Sequence, residues 1–91
     1  MISERFISKY KKAHDAHLNN AAKAKRYDSI HTAALRAGFP GPFHDEGVAF
    51  ANWMDQCNAI GYQIMAEIES GQRVAPTIDE YIAMLPELVL P

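Results

Sequence analysis

The chain has 91 residues, enough for one domain, and a domain of that size buries only roughly 60 to 65% of the surface its unfolded chain would expose. Hydrophobic residues make up 48%, aromatic residues 10% and charged residues 22%, which excludes the disordered class and predicts a folded globular domain with a thin core. The net charge of -2 hides a division: residues 1–37 carry eight Lys or Arg against three acids, +5, and residues 38–91 carry one Arg against eight acids, -7.

Two oppositely charged halves of one small fold are expected to lie against each other or against a neighbouring subunit, and a basic arm for nucleic acid is the alternative. The start, Met1 to Lys12, lacks the apolar run of a signal peptide, and no stretch reaches the ~20 apolar residues of a membrane helix. A cytoplasmic protein that neither spans nor binds a membrane is the expectation.

Residues 1–37 form a basic region of helix formers without Pro or Gly. Asn19 and Asn20 predict an interruption, since Asn competes for backbone hydrogen bonds inside a helix and suits a cap. The reading is therefore two helical segments, Ser3 to Leu18 and Ala21 to Ala37, the alternative being one continuous helix. Gly38 reads as a left-handed cap, and residues 38–45 as a rigid Pro/Gly loop, because Pro40 and Pro42 cannot continue a helix. Phe39 and Phe43 bracket that loop and are expected to tuck into the core.

A long amphipathic helix is predicted over 46–70, with Asp45 as its N-cap and Gly71 as its stop. At 100° per residue Phe50, Trp53, Met54, Cys57, Ile60, Gly61, Ile64, Met65 and Ile68 fall within an arc of about 140°. The helix would span about 37 Å at 1.5 Å per residue, more than a compact domain this small needs, so part of the stripe is expected to face another subunit. Cys57 and Gly61 form a shallow notch for a neighbouring helix, because Gly inside a helix costs about 1 kcal/mol and implies a compensating contact. A short helix over 77–85 opens on a capping box, Thr77 with Glu80, and stops at Pro86. The tail, 86–91, is apolar and should pack on the chain itself, on a second copy or on a partner.

No catalytic, cofactor or metal constellation stands out. His14 and His17, one helical turn apart, could share an ion, but His31 and the His44-Asp45-Glu46 cluster sit on other segments with no spacing constraint, and a zinc site needs three or four ligands. No metal and no cofactor is expected. Cys57 lies on the apolar arc and reads as packing rather than as a nucleophile. Arg5, Lys9 and Lys12 share a helix face with Lys23, Lys25 and Arg26 beyond them, and they carry the nucleic-acid alternative through Arg5, Lys9, Lys12, Lys23 and Arg26.

The run from Gly41 to Ala59, then Gly61-Tyr62-Gln63-Ile64-Met65-Ala66 and the stretch from Pro76-Thr77 to Leu85-Pro86, resembles small uncharacterised proteins carried by tailed phages and prophages. That resemblance covers roughly residues 36–86. It implies a phage-borne helical protein that assists particle assembly or binds a host or phage protein, and it attaches no role to any residue.

The sequence thus predicts a single all-α domain over 1–91, a helical hairpin or small three- to four-helix bundle completed by oligomerisation, with Ala21 to Ala37 antiparallel to Glu46 to Ser70. The leading function is a non-enzymatic interaction or assembly protein, partnered by itself or another protein. Its contacts are expected at Trp53, Ile60, Gly61, Ile64, Ile68, Leu88, Val89 and Leu90. A small nucleic-acid-binding regulator is the alternative, and an enzyme ranks third.

Overall fold

The computed structural model describes residues 3–91. These form four α-helices and one 3-10 turn: α1 (Glu4–Ala24), α2 (Ile30–Leu35), the 3-10 turn Arg36–Gly38, α3 (His44–Glu69) and α4 (Ile78–Met84). The protein is all-α, with no strand among the described residues. No described helix is long and apolar enough to cross a membrane.

The break in the first region falls later than predicted. Ser3 caps α1 by accepting from the Phe6 amide, and the helix runs unbroken through Asn19 and Asn20. Asn19 does act as a cap, but at a distance: its Oδ1 accepts from the Ile30 amide at 2.9 Å. α1 ends in a Schellman turn, in which the Tyr27 amide donates to Ala22 and the Arg26 amide to Lys23. Arg26 takes the left-handed position, φ 71°. The predicted helix from Ala21 to Ala37 is therefore divided by this turn, and Ser29, which accepts from the Thr32 amide, caps the short α2. Gly38 is not a left-handed cap, since it closes the 3-10 turn; the left-handed glycine is Gly71, φ 80°, which ends α3 in the same kind of turn. The cap position of α3 is Phe43 rather than Asp45, and it has no side-chain cap bond.

α2 and the 3-10 turn make the closest contact with α3, and α1 runs antiparallel beside it. His14 meets Asn58, His17 lies against the Trp53 ring with centroids 5.7 Å apart, and Tyr27 meets Phe50 edge-on. α2 and the 3-10 turn cover the first half of α3, whose Gly47 lets the backbone of Arg36 and Ala37 approach: an added Cβ there would lie 2.5 to 2.6 Å from their atoms. α4 closes the other end, its capping box complete, with Tyr81 buried against Tyr10 of α1. The core is built on Leu18, Ala22, Ile30, Ala33, Phe50, Trp53, Cys57 and Ile64. The chain is a rod of 46 × 19 × 19 Å.

Among the described residues no ion pair joins the two charged halves. The ion pairs among the described residues, Lys11–Asp15 and Arg73–Glu67, both at 2.7 Å, join near neighbours within one half.

Candidate functional site

The α3 stripe is covered mainly by the chain's own helices. Trp53, Gly61 and Ile64 are buried, and Ile60 and Ile68 are half-buried. The notch at Gly61 is filled from within: a Cβ there would lie 2.6 Å from the Tyr81 hydroxyl and 3.4 Å from the His14 ring. In the tail Leu88 and Leu90 pack onto the core while Val89 stays 79% exposed. Trp53 fixes the tail's start by donating from Nε1 to the Pro86 carbonyl at 2.7 Å. Trp53, Gly61 and Ile64 are therefore unavailable to a partner in the folded chain, and of the predicted contact residues Val89 is the one that projects fully.

The histidines separate into different roles. His14 is buried between α1, α3 and α4, with Nδ1 2.7 Å from the Tyr81 hydroxyl and Nε2 2.9 Å from Asn58 Oδ1. A carboxamide oxygen only accepts, so Nε2 carries the proton and donates, which leaves Nδ1 to accept from Tyr81. Both ring nitrogens are engaged in this network. His17 is half-buried against Trp53, and burial, then the neighbouring His14, lower its pKa. Among the described residues no three His, Cys, Asp or Glu side chains stand close enough to hold a metal ion together. Cys57 is buried, and burial pushes its thiol up to about 11, far from the thiolate that nucleophilic chemistry requires. An open cleft of about 290 Å³ adjoins the network, edged by Lys11, His14, Asn58, Tyr62 and Met65.

One group of exposed apolar side chains lies at the end of the rod where α3 begins, while Tyr62 and Val74, more exposed still, stand on the second half of α3 and beyond its end. Phe39 and Phe43, expected in the core, are 52% and 54% exposed, and Leu35 is 63% exposed. The Arg36–Ala37 backbone, just before them, is seated on Gly47. Loop 39–43 is held by its own bonds: the His44 ring Nδ1 lies 3.2 Å from the Phe39 carbonyl, the His44 amide donates to Gly41 and the Gly47 amide to Phe43. The Arg36 guanidinium carbon lies 5.9 Å from the centroid of each phenylalanine ring, within reach of a cation–π attraction that arrays the three side chains together. Beside this pole a second cleft of about 550 Å³ runs between α3 and the tail, edged by Asp45, Val48, Asn52, Val89 and Leu90.

Sequence reasoning found the loop but assigned its rings to the wrong side, and it missed Arg36, Gly47 and Asn58. A glycine in the first turn of the long helix was the available signal for a close backbone crossing. On α1, Arg5, Lys9, Lys12 and Lys23 are all exposed on the face opposite the buried His14 and Leu18, and Arg26 is exposed in its turn. Compared with known proteins, the chain matches no family model, no curated protein and no solved structure.

Proposed function

We propose that this chain is a non-enzymatic protein-contact protein whose docking surface is the aromatic pole, Leu35, Arg36, Phe39 and Phe43, rather than the α3 stripe. The observation that carries this reading is the exposure of two phenylalanine rings on a loop fixed at both ends. Aromatic and arginine side chains are the types that supply most of the energy in protein interfaces, and a fixed loop loses little conformational entropy on docking. The phage resemblance makes particle assembly, or capture of a host or phage protein, the setting we propose. A photo-crosslinking amino acid placed at position 43 in the cells that make the protein should give discrete protein adducts. The same group at Gln63, exposed on α3, should give none. An absence of adducts from position 43 would refute the reading.

A second reading, nucleic-acid binding through α1, is favoured by one observation: Arg5, Lys9, Lys12 and Lys23 line one solvent-facing strip of the helix. Binding to a labelled duplex should then weaken steeply with salt, by roughly one unit of log-log slope per phosphate contacted, and a flat salt response would exclude it.

A further inference from the structure

The cleft of about 290 Å³ beside the His14 network lies between α1 and the second half of α3, away from the aromatic pole. Part of its lining is apolar or aromatic, from Ile7, Met65 and the rings of Tyr10 and Tyr81. Ile7 and Tyr62, both on its edge, are among the large apolar side chains that the fold leaves exposed.

The polar groups of the cleft are mostly donors. The Asn58 carboxamide oxygen is spent on His14 Nε2, so Asn58 has its NH2 left to offer. Lys11 gives one donor to Asp15 at 2.7 Å and keeps two of the three an ammonium carries. Asp15 first, and also Tyr62 from the facing helix, raise the pKa of Lys11. His31 and the Tyr62 hydroxyl add further groups able to donate. The carboxylate on this edge, Asp15, is already engaged by Lys11, and both side chains stand largely in solvent, 71% and 50% exposed. An exposed pair of that kind holds weakly, so Lys11 exchanges it readily for another anion.

We propose that this cleft binds a small monocarboxylate with a flat apolar body, the carboxylate held by the Lys11 ammonium and the Asn58 NH2 and the body lying against Ile7 and Met65. Charge-assisted hydrogen bonds to a carboxylate are the strong kind, and an apolar lining with a few placed polar groups is the usual make-up of a small-molecule site. The volume sets the size of the ligand. It stands at the lower end of the range of about 300–1,000 Å³ for such sites, which suits a single-ring acid and is too small for a nucleotide. The site goes beyond the contact-protein reading and is independent of it: crosslinking at position 43 and binding here fail separately.

Phenylacetate is the probe, with phenylacetamide and phenethylamine as its neutral and cationic counterparts. Each is titrated into the full chain at low salt and followed by NMR of the Ile7 and Met65 methyl groups and the Asn58 side-chain amide. Phenylacetate should shift these signals saturably with a Kd on the order of 1 mM, the affinity that about ten non-hydrogen atoms reach at ordinary efficiency. The other two should bind at least about threefold more weakly, and so should phenylacetate to Lys11→Met, which keeps the stem without the charge. Asp15→Asn should tighten phenylacetate by about twofold or more, because Lys11 then has no competing partner. Both substitutions fall on exposed side chains, thermal melts check that the variants are folded, and the comparison of the three probes needs no variant at all. No saturable shift up to about 20 mM, twentyfold above that Kd, or saturable shifts at other groups only, would overturn the site. So would equal binding of phenylacetamide, tighter binding of phenethylamine, a folded Lys11→Met variant with unchanged affinity, or an Asp15→Asn variant that binds no more tightly.

Discussion

Adding one methyl group at Gly61 sets helix propensity against packing. In an open helix Gly→Ala stabilises by about 1 kcal/mol. At Gly61 the new Cβ would sit 2.6 Å from the Tyr81 hydroxyl, and that hydroxyl is buried and donates to His14. Displacing it costs about 1–3 kcal/mol for overpacking and about 1 kcal/mol for the lost hydrogen bond. The net expectation for Gly61→Ala is a loss of about 1–3 kcal/mol, which lowers Tm by roughly 5–20 °C in a domain this small. Tyr81→Phe removes the obstructing oxygen, so Gly61→Ala made in that background should be neutral or stabilising by up to about 1 kcal/mol, the propensity gain alone. The assay is a double-mutant cycle from urea unfolding followed by Trp53 fluorescence. Equal costs in the two backgrounds would show that the hydroxyl does not occupy the notch.

Arg26 holds a left-handed conformation that suits glycine, so Arg26→Gly should stabilise by about 0.5–1 kcal/mol once glycine's extra unfolded-state entropy is counted; a lower Tm would contradict the Schellman turn. Because folding lowers the His17 pKa, the unfolded chain binds its proton first. His17 thus contributes stability that is complete above the usual histidine pKa of about 6.5 and is lost as pH falls through the folded value. Urea midpoints should fall between about pH 7 and pH 5, and fall less in His17→Phe, which keeps an aromatic ring on Trp53 without the titration; identical pH profiles would refute this. Cys57 should react with a thiol reagent at pH 8 only as fast as the protein opens, because it is buried and its thiol stays protonated. Reaction at the rate of an unfolded control would contradict its place in the core.

What was legible in the sequence is what periodicity and capping chemistry encode. The long helix, its stop at Gly71, the Thr77–Glu80 box and the buried Cys57 follow from residue type and spacing, and each is where those rules put it. The rules failed where a residue served a distant element. Asn19 looks like a local helix break because its side chain competes for backbone donors, yet the donor it satisfies is the Ile30 amide, 11 residues on. Arg26 gave no signal because the turn it makes is ordinarily a glycine's. The His14–Asn58–Tyr81 network joins three helices, and no one-dimensional spacing reveals it.

The same limit explains the pole, and the reason is backbone rather than side chain. An apolar residue in a small domain is assigned to the core by default, and this chain buries Phe50 completely and Trp53 almost so. Phe39 and Phe43 follow directly on the Arg36–Gly38 turn, whose start lies against α3 at residue 47, a close approach possible because that residue has no side chain. A fold seeking to hide those rings would put a bulky residue at 47, push the 3-10 turn away and let the loop collapse inward. Here the backbone packs tightly while the rings face out with a guanidinium over both. Gly47→Ala separates the two arrangements. Its Cβ would meet main-chain atoms that cannot rotate aside, so the variant should lose about 3 kcal/mol or more through forced backbone displacement, and the Arg36 contact with the rings should disperse in its NMR spectra. If instead the alanine variant gained stability and kept the rings in place, the crossing at Gly47 would not be what holds them outward.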